Sequence, residues 1–348
     1  MGAWAGSDHW VMHKNTISLV SLVVAAAIGG VISYWVIGRN EVGAGNRAAA
    51  PAVPDKAAPE CAYDIVRATG FKRVRPLLFS EPMCESPRFD ALRGSISTAV
   101  DAMKASGQVS SASVYLRDFR KAEWTWYNGD EEFDPGSLLK VPLMLAWLSM
   151  NEQEAGALDR RFVCDERDHG ALNTTAFPSE QAQPGRSYTV RQLLELSIVH
   201  SDNRATSMLL RHMASSKYIS TFTELGLEAP VMEAKTYRMN VREYSAFIKA
   251  LYNSSLLSPL DSEYAVELMT RAKFDKGLVA GLPAGIDIAH IFGESGNAQE
   301  KQLHETGLVY VSGNAYLITV MTRGSDVDSL ATAIASLSKL VYERMLTP

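Results

Sequence analysis

Segments with strand-forming patterns occur at both ends of the long C-terminal part of this 348-residue chain, and helical patterns lie between them. β-Branched and aromatic residues that alternate or run together predict two early and three late strands, at Ser111–Arg117, Glu123–Tyr127, Ile288–Gly293, Gly307–Val311 and Tyr316–Thr322. Neither group supplies a complete sheet. We therefore expect an α+β fold, in which one antiparallel sheet is assembled from both ends and a helical lobe is inserted between them.

Helical periodicity appears on both sides of each group of strands. Apolar residues recur at three- and four-residue spacing over Pro87–Ser106 and Asp326–Leu346, which predicts an amphipathic helix in each segment. Five more helices are predicted between the early and late strands, at Val190–Val199, Arg204–Met213, Lys217–Leu225, Val241–Asn253 and Ser262–Ala272. Asn240, followed three residues later by Glu243, has the pattern of a helix N-cap. With 47% hydrophobic residues, the chain can bury the core that such a fold requires.

An uncharged apolar run, Ile17–Ile37, precedes the predicted domain. Its 21 residues are long enough to cross roughly 30 Å of hydrocarbon, so we predict a transmembrane anchor. The alternative is a cleaved signal peptide, because Ala25-Ala26-Ala27 offers a small-residue cleavage site, although the apolar run continues ten residues further. Alanine, glycine and proline dominate residues 38–59, which predicts a linker, and the folded domain is expected at 60–348.

The three cysteines are Cys61, Cys84 and Cys164. In an oxidising compartment Cys61 and Cys84 could pair across 22 intervening residues. Such a bridge stabilises a fold by on the order of 3 kcal/mol. The alternative is three reduced and buried thiols.

Charge and histidine spacing argue against several classes of function. The net charge of −5 and the isoelectric point near 5.9 give no basic surface of the kind that binds nucleic acid. No glycine-rich phosphate loop follows a strand. The histidines lack metal-ligand spacing, so we expect neither a metal nor a cofactor; the scattered positions are His169, His200, His212, His290 and His304.

A possible nucleophile and base lie one helical turn apart. The breaker cluster Asp134-Pro135-Gly136 is followed at once by an apolar run with helix-forming composition, so Ser137 lies at or near a helix start. Lys140 then lies about one turn along, with its amine in reach of the Ser137 hydroxyl. A lysine can take the serine proton when burial lowers the lysine pKa. The alternative is a serine helix cap followed by a surface lysine.

Two later segments add to this pattern. Ser201-Asp202-Asn203 follows a predicted helix and comes 64 residues after Ser137. Such a tripeptide alone is typical of a cap or turn, since all three residue types bond their own backbone. The other segment, Ala289-His290-Ile291-Phe292-Gly293-Glu294, opens the late group of strands.

From about Pro87 to Leu346 the chain resembles the serine β-lactamase and penicillin-binding-protein superfamily, and it looks most similar to class A β-lactamases. The resemblance is carried, in chain order, by Ser137-Leu138-Leu139-Lys140-Val141-Pro142, Ser201-Asp202-Asn203 and Phe292-Gly293. It implies a β-lactamase/transpeptidase-like fold, in which helices flank a five-stranded antiparallel sheet.

The resemblance also implies an acyl-enzyme mechanism. Ser137 would attack a carbonyl, and Lys140 would act as general base. Ser201 would pass a proton to the leaving nitrogen, while Asn203 would orient the Lys140 amine or bind a substrate amide.

The same resemblance implies how a substrate is bound. The backbone amides of Ser137 and Glu294 would form the oxyanion hole. The strand at Phe292 and Gly293 would pair with an extended substrate.

This chain departs from the family at the third sheet strand. The family carries Lys-Thr-Gly or a close relative where this chain has Ile291-Phe292-Gly293, and Ile291 supplies no cation for a substrate carboxylate. A register shift to Glu294-Ser295-Gly296 or Glu305-Thr306-Gly307 restores a hydroxyl but not the lysine. Lys301 or His290 is a candidate substitute, against the alternatives of a surface lysine and a sheet-packed histidine.

The second departure is a loop. Class A β-lactamases carry, after Ser-Asp-Asn, a long loop whose glutamate activates the deacylating water. Here Glu228–Met239 separates the predicted helices and lacks the Glu-x-x-x-Asn pattern. Glu233 is the candidate base, against the alternative of a solvated loop carboxylate. We expect slow or no turnover of β-lactams.

The resemblance and the departures together predict a membrane-anchored, periplasmic serine hydrolase or acyltransferase that forms an acyl-enzyme with β-lactams or D-Ala-D-Ala-type cell-wall peptides. The resemblance also implies the orientation of the anchor, with residues 1–16 on the cytoplasmic side and the domain outside the cytoplasm. Two alternatives stay open. One is a catalytically impaired wall-binding or scaffold module. The other is an amidase or esterase on the same fold with an uncharged substrate, which fits Ile291.

Overall fold

Nine strands occur in the computed structural model, which describes residues 65–80, 85–165, 177, 179–231, 236–311 and 313–346. They are β1 Ile65–Arg67, β2 Leu77–Ser80, β3 Ser111–Asp118, β4 Glu123–Tyr127, β5 Arg161–Val163, β6 Ser187–Thr189, β7 Asp287–Gly296, β8 Lys301–Val311 and β9 Asn314–Gly324. Five of them form one antiparallel sheet in the order β4-β3-β9-β8-β7. The two early and three late strands therefore share a sheet, and the predicted α+β architecture is confirmed.

Eight α-helices are found in the described residues. They are α1 Asp90–Ala105, α2 Lys140–Gln153, α3 Val190–Val199, α4 Asn203–Arg211, α5 Ser215–Thr223, α6 Val241–Asn253, α7 Pro259–Thr270 and α8 Val327–Met345. Helices α2 to α7 lie between β4 and β7 in the chain, as predicted for an inserted helical lobe.

Side-chain alternation along the strands divides the core into two parts. On one face, Val114 of β3 and Ile318 of β9 pack with the apolar residues of α1 and α8. On the other face, Tyr115 and Leu317 pack with α6 and the helical lobe. The sheet is therefore covered on both sides, as in a layered α+β domain.

Helix α2 lies in the centre of the lobe. Nine consecutive residues, Lys140 to Leu148, are buried, and the apolar residues are not confined to one stripe. A helix that is buried all round must be surrounded by other elements. The first turn of α2 is therefore shielded from solvent. It contains Lys140, the only charged side chain among those nine residues.

Strand β8 begins at Lys301, six residues before the predicted start at Gly307. The first half of β8 is polar, so it lacks the apolar alternation from which strands are predicted. These polar side chains are buried with hydrogen-bond partners from neighbouring segments, among them Gln302, His304 and Glu305. The short strands β1, β2, β5 and β6 were also not predicted, because three or four residues carry too little periodicity.

Several predictions lie outside the described residues: the anchor at 17–37, the linker at 38–59, Cys61, Cys84, His169 and Glu233. Within the described ranges, no helix combines the length and apolar character needed to span a membrane. Cys164 lies in the core of the helical lobe and is fully buried.

Candidate active site

Ser137 lies on a tight turn that leads directly into α2. Gly136–Leu139 forms a 3-10 helix, and α2 begins at Lys140. Gly136 has a φ of +52°, and a Cβ at this position would overlap the carbonyl oxygen of Glu294. Glycine is therefore required here for both conformation and space. The predicted helix start at Ser137 is correct to within one turn.

The edge strand β7 packs closely against this turn. A Cβ on Gly293 would lie 2.6 Å from the carbonyl oxygen of Pro135 and 2.7 Å from the amide nitrogen of Leu138. The Ser295 hydroxyl donates a 2.8 Å hydrogen bond to the Asp134 carbonyl. These contacts bring the backbone at Glu294 beside the turn that carries Ser137, which is the arrangement that an oxyanion hole formed by their two amides requires.

The Lys140 side chain reaches Ser201. Its Nζ donates a 2.7 Å hydrogen bond to the Ser201 carbonyl and lies 2.8 Å from the Ser201 hydroxyl oxygen. The side chain is only 3% exposed. Burial lowers the pKa of Lys140 to about 7, although the negative charge of Asp202 acts in the opposite direction. A large fraction of the amine is therefore neutral near pH 7 and able to accept a proton.

Ser201 has left-handed backbone geometry, with a φ of +53°. This conformation turns the chain between α3 and α4 and is costly for a residue with a side chain. The next residue, Asp202, holds the turn, because its buried carboxylate accepts hydrogen bonds from the amides of Ala182, Arg204 and Ala205 at 2.8, 2.9 and 3.1 Å. Sequence reasoning did not assign Asp202 to the site. The sequence did contain a signal for its role, because an aspartate directly before a helix is a preferred N-cap.

Asn203 is the first residue of α4 and is half-buried. It lies two residues from the serine that bonds Lys140. Its proposed contact with the Lys140 amine or a substrate amide stays a prediction.

Two buried side chains of β8 hold the segment before Ser137. The Asp134 amide donates to Gln302 Oε1 at 3.0 Å, and His304 Nε2 lies 2.9 Å from the Asp134 carbonyl. The Thr322 amide donates to His304 Nδ1 at 3.2 Å, which leaves Nε2 to carry the proton. Burial lowers the pKa of His304 to about 4. This role could not be predicted, because it depends on strand register.

The two candidate substitutes for the missing lysine lie on different strands of the sheet. His290 Nδ1 is 2.7 Å from Glu305 Oε1, and both residues are buried on the sheet face opposite Ile291. Lys301 is the first residue of β8 and pairs with Gly296, three residues after Gly293 on β7. The alternative of a sheet-packed histidine is correct for His290.

Of the two shifted registers, Glu294-Ser295-Gly296 lies at the end of β7 and Glu305-Thr306-Gly307 lies on β8. Glu305, Thr306 and Gly307 lie on β8, one strand in from the edge, whereas Ile291, Phe292 and Gly293 lie on the edge strand β7 itself.

In the part of the chain that the structure describes, no group of three or more His, Cys, Asp or Glu side chains could hold a metal ion.

The arrangement of a serine turn, a buried lysine, a second serine and a sheet edge is matched by a known family. Residues 95–345 match the family model described as the beta-lactamase enzyme family. The chain belongs to the beta-lactamase enzyme family. The superfamily predicted from the three motifs is thereby confirmed.

Two relatives in this family are similar over most of the folded domain. A β-lactamase of Bacteroides uniformis is 26% identical over 252 residues, which cover 65% of this chain and 83% of the relative. The extended-spectrum β-lactamase PER-1 of Pseudomonas aeruginosa is 25% identical over 240 residues, which cover 62% of this chain and 76% of the relative.

Solved structures support the β-lactamase fold. PBP-A matches with a TM-score of 0.65 and 22% identity, covering 77% of this chain and 99% of PBP-A. A β-lactamase from Sphaerobacter thermophilus matches with a TM-score of 0.62 and 19% identity, covering 73% of this chain and 98% of that protein. The predicted β-lactamase/transpeptidase-like fold is correct, and the roles of the individual site residues stay predictions.

Proposed function

We propose that this family member is a serine hydrolase or acyltransferase that forms an acyl-enzyme on Ser137. The observation that carries the proposal is the 2.8 Å distance between Lys140 Nζ and Ser201 Oγ, at a lysine that is 3% exposed and whose pKa is lowered to about 7. The Lys140 amine contacts the Ser201 hydroxyl and lies one helical turn after Ser137. These three groups are suited to passing a proton from one to the next.

The chemistry follows from these positions. The Ser137 oxygen attacks the carbonyl carbon, and the Ser137 proton passes to the Lys140 amine. When the carbonyl–nitrogen bond breaks, the proton moves from Lys140 through the Ser201 hydroxyl to the departing nitrogen. No proton is gained or lost overall, and the acyl group stays on Ser137 as an ester.

The negative charge on the tetrahedral intermediate needs hydrogen-bond donors. We assign this role to the backbone amides of Ser137 and Glu294, because Gly136 and Gly293 allow their two segments to pack in contact. Such donors typically stabilise a transition state by roughly 2.7 to 4 kcal/mol each.

For the substrate we propose β-lactams or D-Ala-D-Ala-type cell-wall peptides. The support is family membership, together with a solved structure of a PBP-A variant described as an acyl-enzyme complex with penicillin G. A cell-wall substrate also places the domain outside the cytoplasm. The uncharged run at 17–37 supports a membrane anchor at the other end of the chain.

A second candidate is a wall-binding module of the same fold that has lost turnover. The observation in its favour is Ile291, which stands where the family carries a lysine.

A fluorescent penicillin separates the two candidates. We expect covalent labelling of the purified protein that survives denaturing electrophoresis and is absent from the Ser137→Ala variant. An exposed serine offers a matched control: Ser95→Ala, on α1, should label like the unmodified protein. Absence of labelling in the unmodified protein would favour the binding module.

A further inference from the structure

Three phenylalanines from distant parts of the chain form a cluster at the sheet edge. The rings of Phe274 and Phe292 stack with centroids 4.3 Å apart, and Phe177 meets them edge-on at 4.8 and 5.8 Å. Phe274 and Phe292 are 5% and 6% exposed, whereas Phe177 is half-buried. Phe177 therefore forms the outer surface of the cluster.

The cluster lies beside the catalytic groups. Phe292 directly precedes Gly293, whose backbone touches the turn that carries Ser137. Phe274 lies on the segment after α7, and the amide of the neighbouring Lys273 donates a 3.0 Å hydrogen bond to the carbonyl of Val199. Val199 ends α3, two residues before Ser201. The aromatic segment thus bridges the Ser201 turn and the edge of β7.

A charged pair lies on the outside of the cluster. Lys276 Nζ lies 4.8 Å from the centre of the Phe177 ring and 2.9 Å from Asp328 Oδ1, so a carboxylate of the chain itself already pairs with this amine. Ile291 points to the other face of β7, into the core of the helical lobe, and is 2% exposed. Both residues that precede Gly293 are thus apolar and buried, where the family carries a lysine and a threonine.

We propose that Phe177, Phe274 and Phe292 form an apolar subsite that selects substrates carrying an uncharged group where a β-lactam carries its carboxylate. Within the proposed β-lactams and cell-wall peptides, the preferred members are acyl donors whose carboxylate is capped as an ester or amide. An ionised carboxylate held against these rings would lose its hydration, and the Lys276 amine beside Phe177 is already paired with Asp328. The inference rests on the proposed function, since the subsite belongs to the same crevice as Ser137.

Benzylpenicillin and its methyl ester form a matched pair of probes that differ only in this carboxylate. Binding to the Ser137→Ala variant, measured by calorimetry, reports on the subsite without acylation. We expect the ester to bind at least about tenfold more tightly than the acid, a factor that corresponds to ~1.4 kcal/mol. Equal affinities, tighter binding of the acid, or binding of neither probe would overturn the subsite.

Acylation of the unmodified protein by the same two probes reports separately on the proposed function. A preference for the ester on the Ser137→Ala variant without any acylation of the unmodified protein would contradict the enzyme and leave the subsite standing. Acylation without any preference for the ester would contradict the subsite and leave the enzyme standing.

Two substitutions in the Ser137→Ala background test the assignment of residues. Phe177→Ala should reduce the preference for the ester, because it removes the outer ring of the cluster. Phe162→Ala is the matched control, since Phe162 is also half-buried but stacks on His212 at 3.7 Å in the helical lobe, and it should keep the preference. An unchanged preference in Phe177→Ala would show that the cluster does not set specificity.

Discussion

Lys140 Nζ lies 2.8 Å from the hydroxyl oxygen of Ser201, although 61 positions separate the two residues in the chain. The contact joins the first residue of α2 to the turn between α3 and α4. It is the point at which two of the sequence motifs meet, and the proposed proton path runs through it.

The pH dependence of acylation tests Lys140 as the base. Burial lowers the pKa of Lys140 to about 7, and below that pH the protonated amine cannot accept the Ser137 proton. We therefore expect the labelling rate with a fluorescent penicillin to rise as the pH increases through about 7 and then to level off. A rate that is flat or that falls across this interval would rule out a neutral lysine as the base.

Replacement of Lys140 gives a second test of the same step. We expect Lys140→Met, which keeps an unbranched apolar side chain in the buried position, to slow acylation by about 10²- to 10⁴-fold. Thermal denaturation monitors folding, and the variant should be at least as stable as the unmodified protein because no charge is buried. A labelling rate within a few-fold of the unmodified protein would contradict the assignment.

Ser201 carries the proton onward in the proposed path. Ser201→Ala removes the hydroxyl but leaves the Ser201 carbonyl that also accepts from Lys140. We expect acylation to slow by about 10²-fold or more, with little change in stability. The surface variant Ser95→Ala is the matched control. Equal rates in the two variants would remove Ser201 from the mechanism.

Gly136 tests the packing of the serine turn against β7. Gly136→Ala combines the cost of a positive φ with overlap on the Glu294 carbonyl, so we expect a loss of about 2 to 5 kcal/mol in the free energy of unfolding. Gly185→Ala isolates the first cost, because Gly185 has a φ of +79° and no atom within 4 Å of its added Cβ. We expect it to lose only about 1 to 2 kcal/mol. Chemical denaturation measures both, and equal losses would contradict the close packing.

The free energy of unfolding should depend on pH through His304, which holds the segment before Ser137. Burial lowers the pKa of His304 to about 4, whereas an unfolded histidine titrates near pH 6.5. Between about pH 6.5 and 4 the unfolded chain binds a proton that the folded chain does not, so stability falls as the pH falls through this window. Relative to the unmodified protein, His304→Gln should show a weaker dependence over that window in chemical denaturation.

Much of the fold could be predicted from residue patterns. Helix α3 at Val190–Val199 and helix α6 at Val241–Asn253 match their predicted bounds, and the predicted cap is present as a reciprocal pair between Asn240 and Glu243. These features are local, since periodicity and capping depend on residues a few positions apart.

What could not be predicted depends on contacts between distant segments. The polar first half of β8 is stable as a strand because His304 and Gln302 find partners at Asp134, far away in the chain. The phenylalanine cluster likewise joins residues from three separate segments. No pattern within one segment reports such pairings, so the motifs located the candidate catalytic residues but not the buried side chains that hold their segments in place.

Deacylation remains the step with no assigned base, because the chain lacks the Glu-x-x-x-Asn pattern after Ser201-Asp202-Asn203. We expect a β-lactam acyl-enzyme to persist. With a chromogenic cephalosporin, the purified protein should release about one equivalent of product in a burst and then turn over slowly. Rapid, continuous hydrolysis would mean that an efficient base is present.

Intact-mass spectrometry after incubation with benzylpenicillin tests the central claim most directly. We expect the protein to gain the full mass of one penicillin, because the opened ring stays attached, and peptide mapping to place the adduct on Ser137. The Ser137→Ala variant should gain nothing under the same conditions. An unmodified mass for the intact protein, or an adduct that persists in Ser137→Ala, would contradict the assignment of Ser137 as the acylated nucleophile.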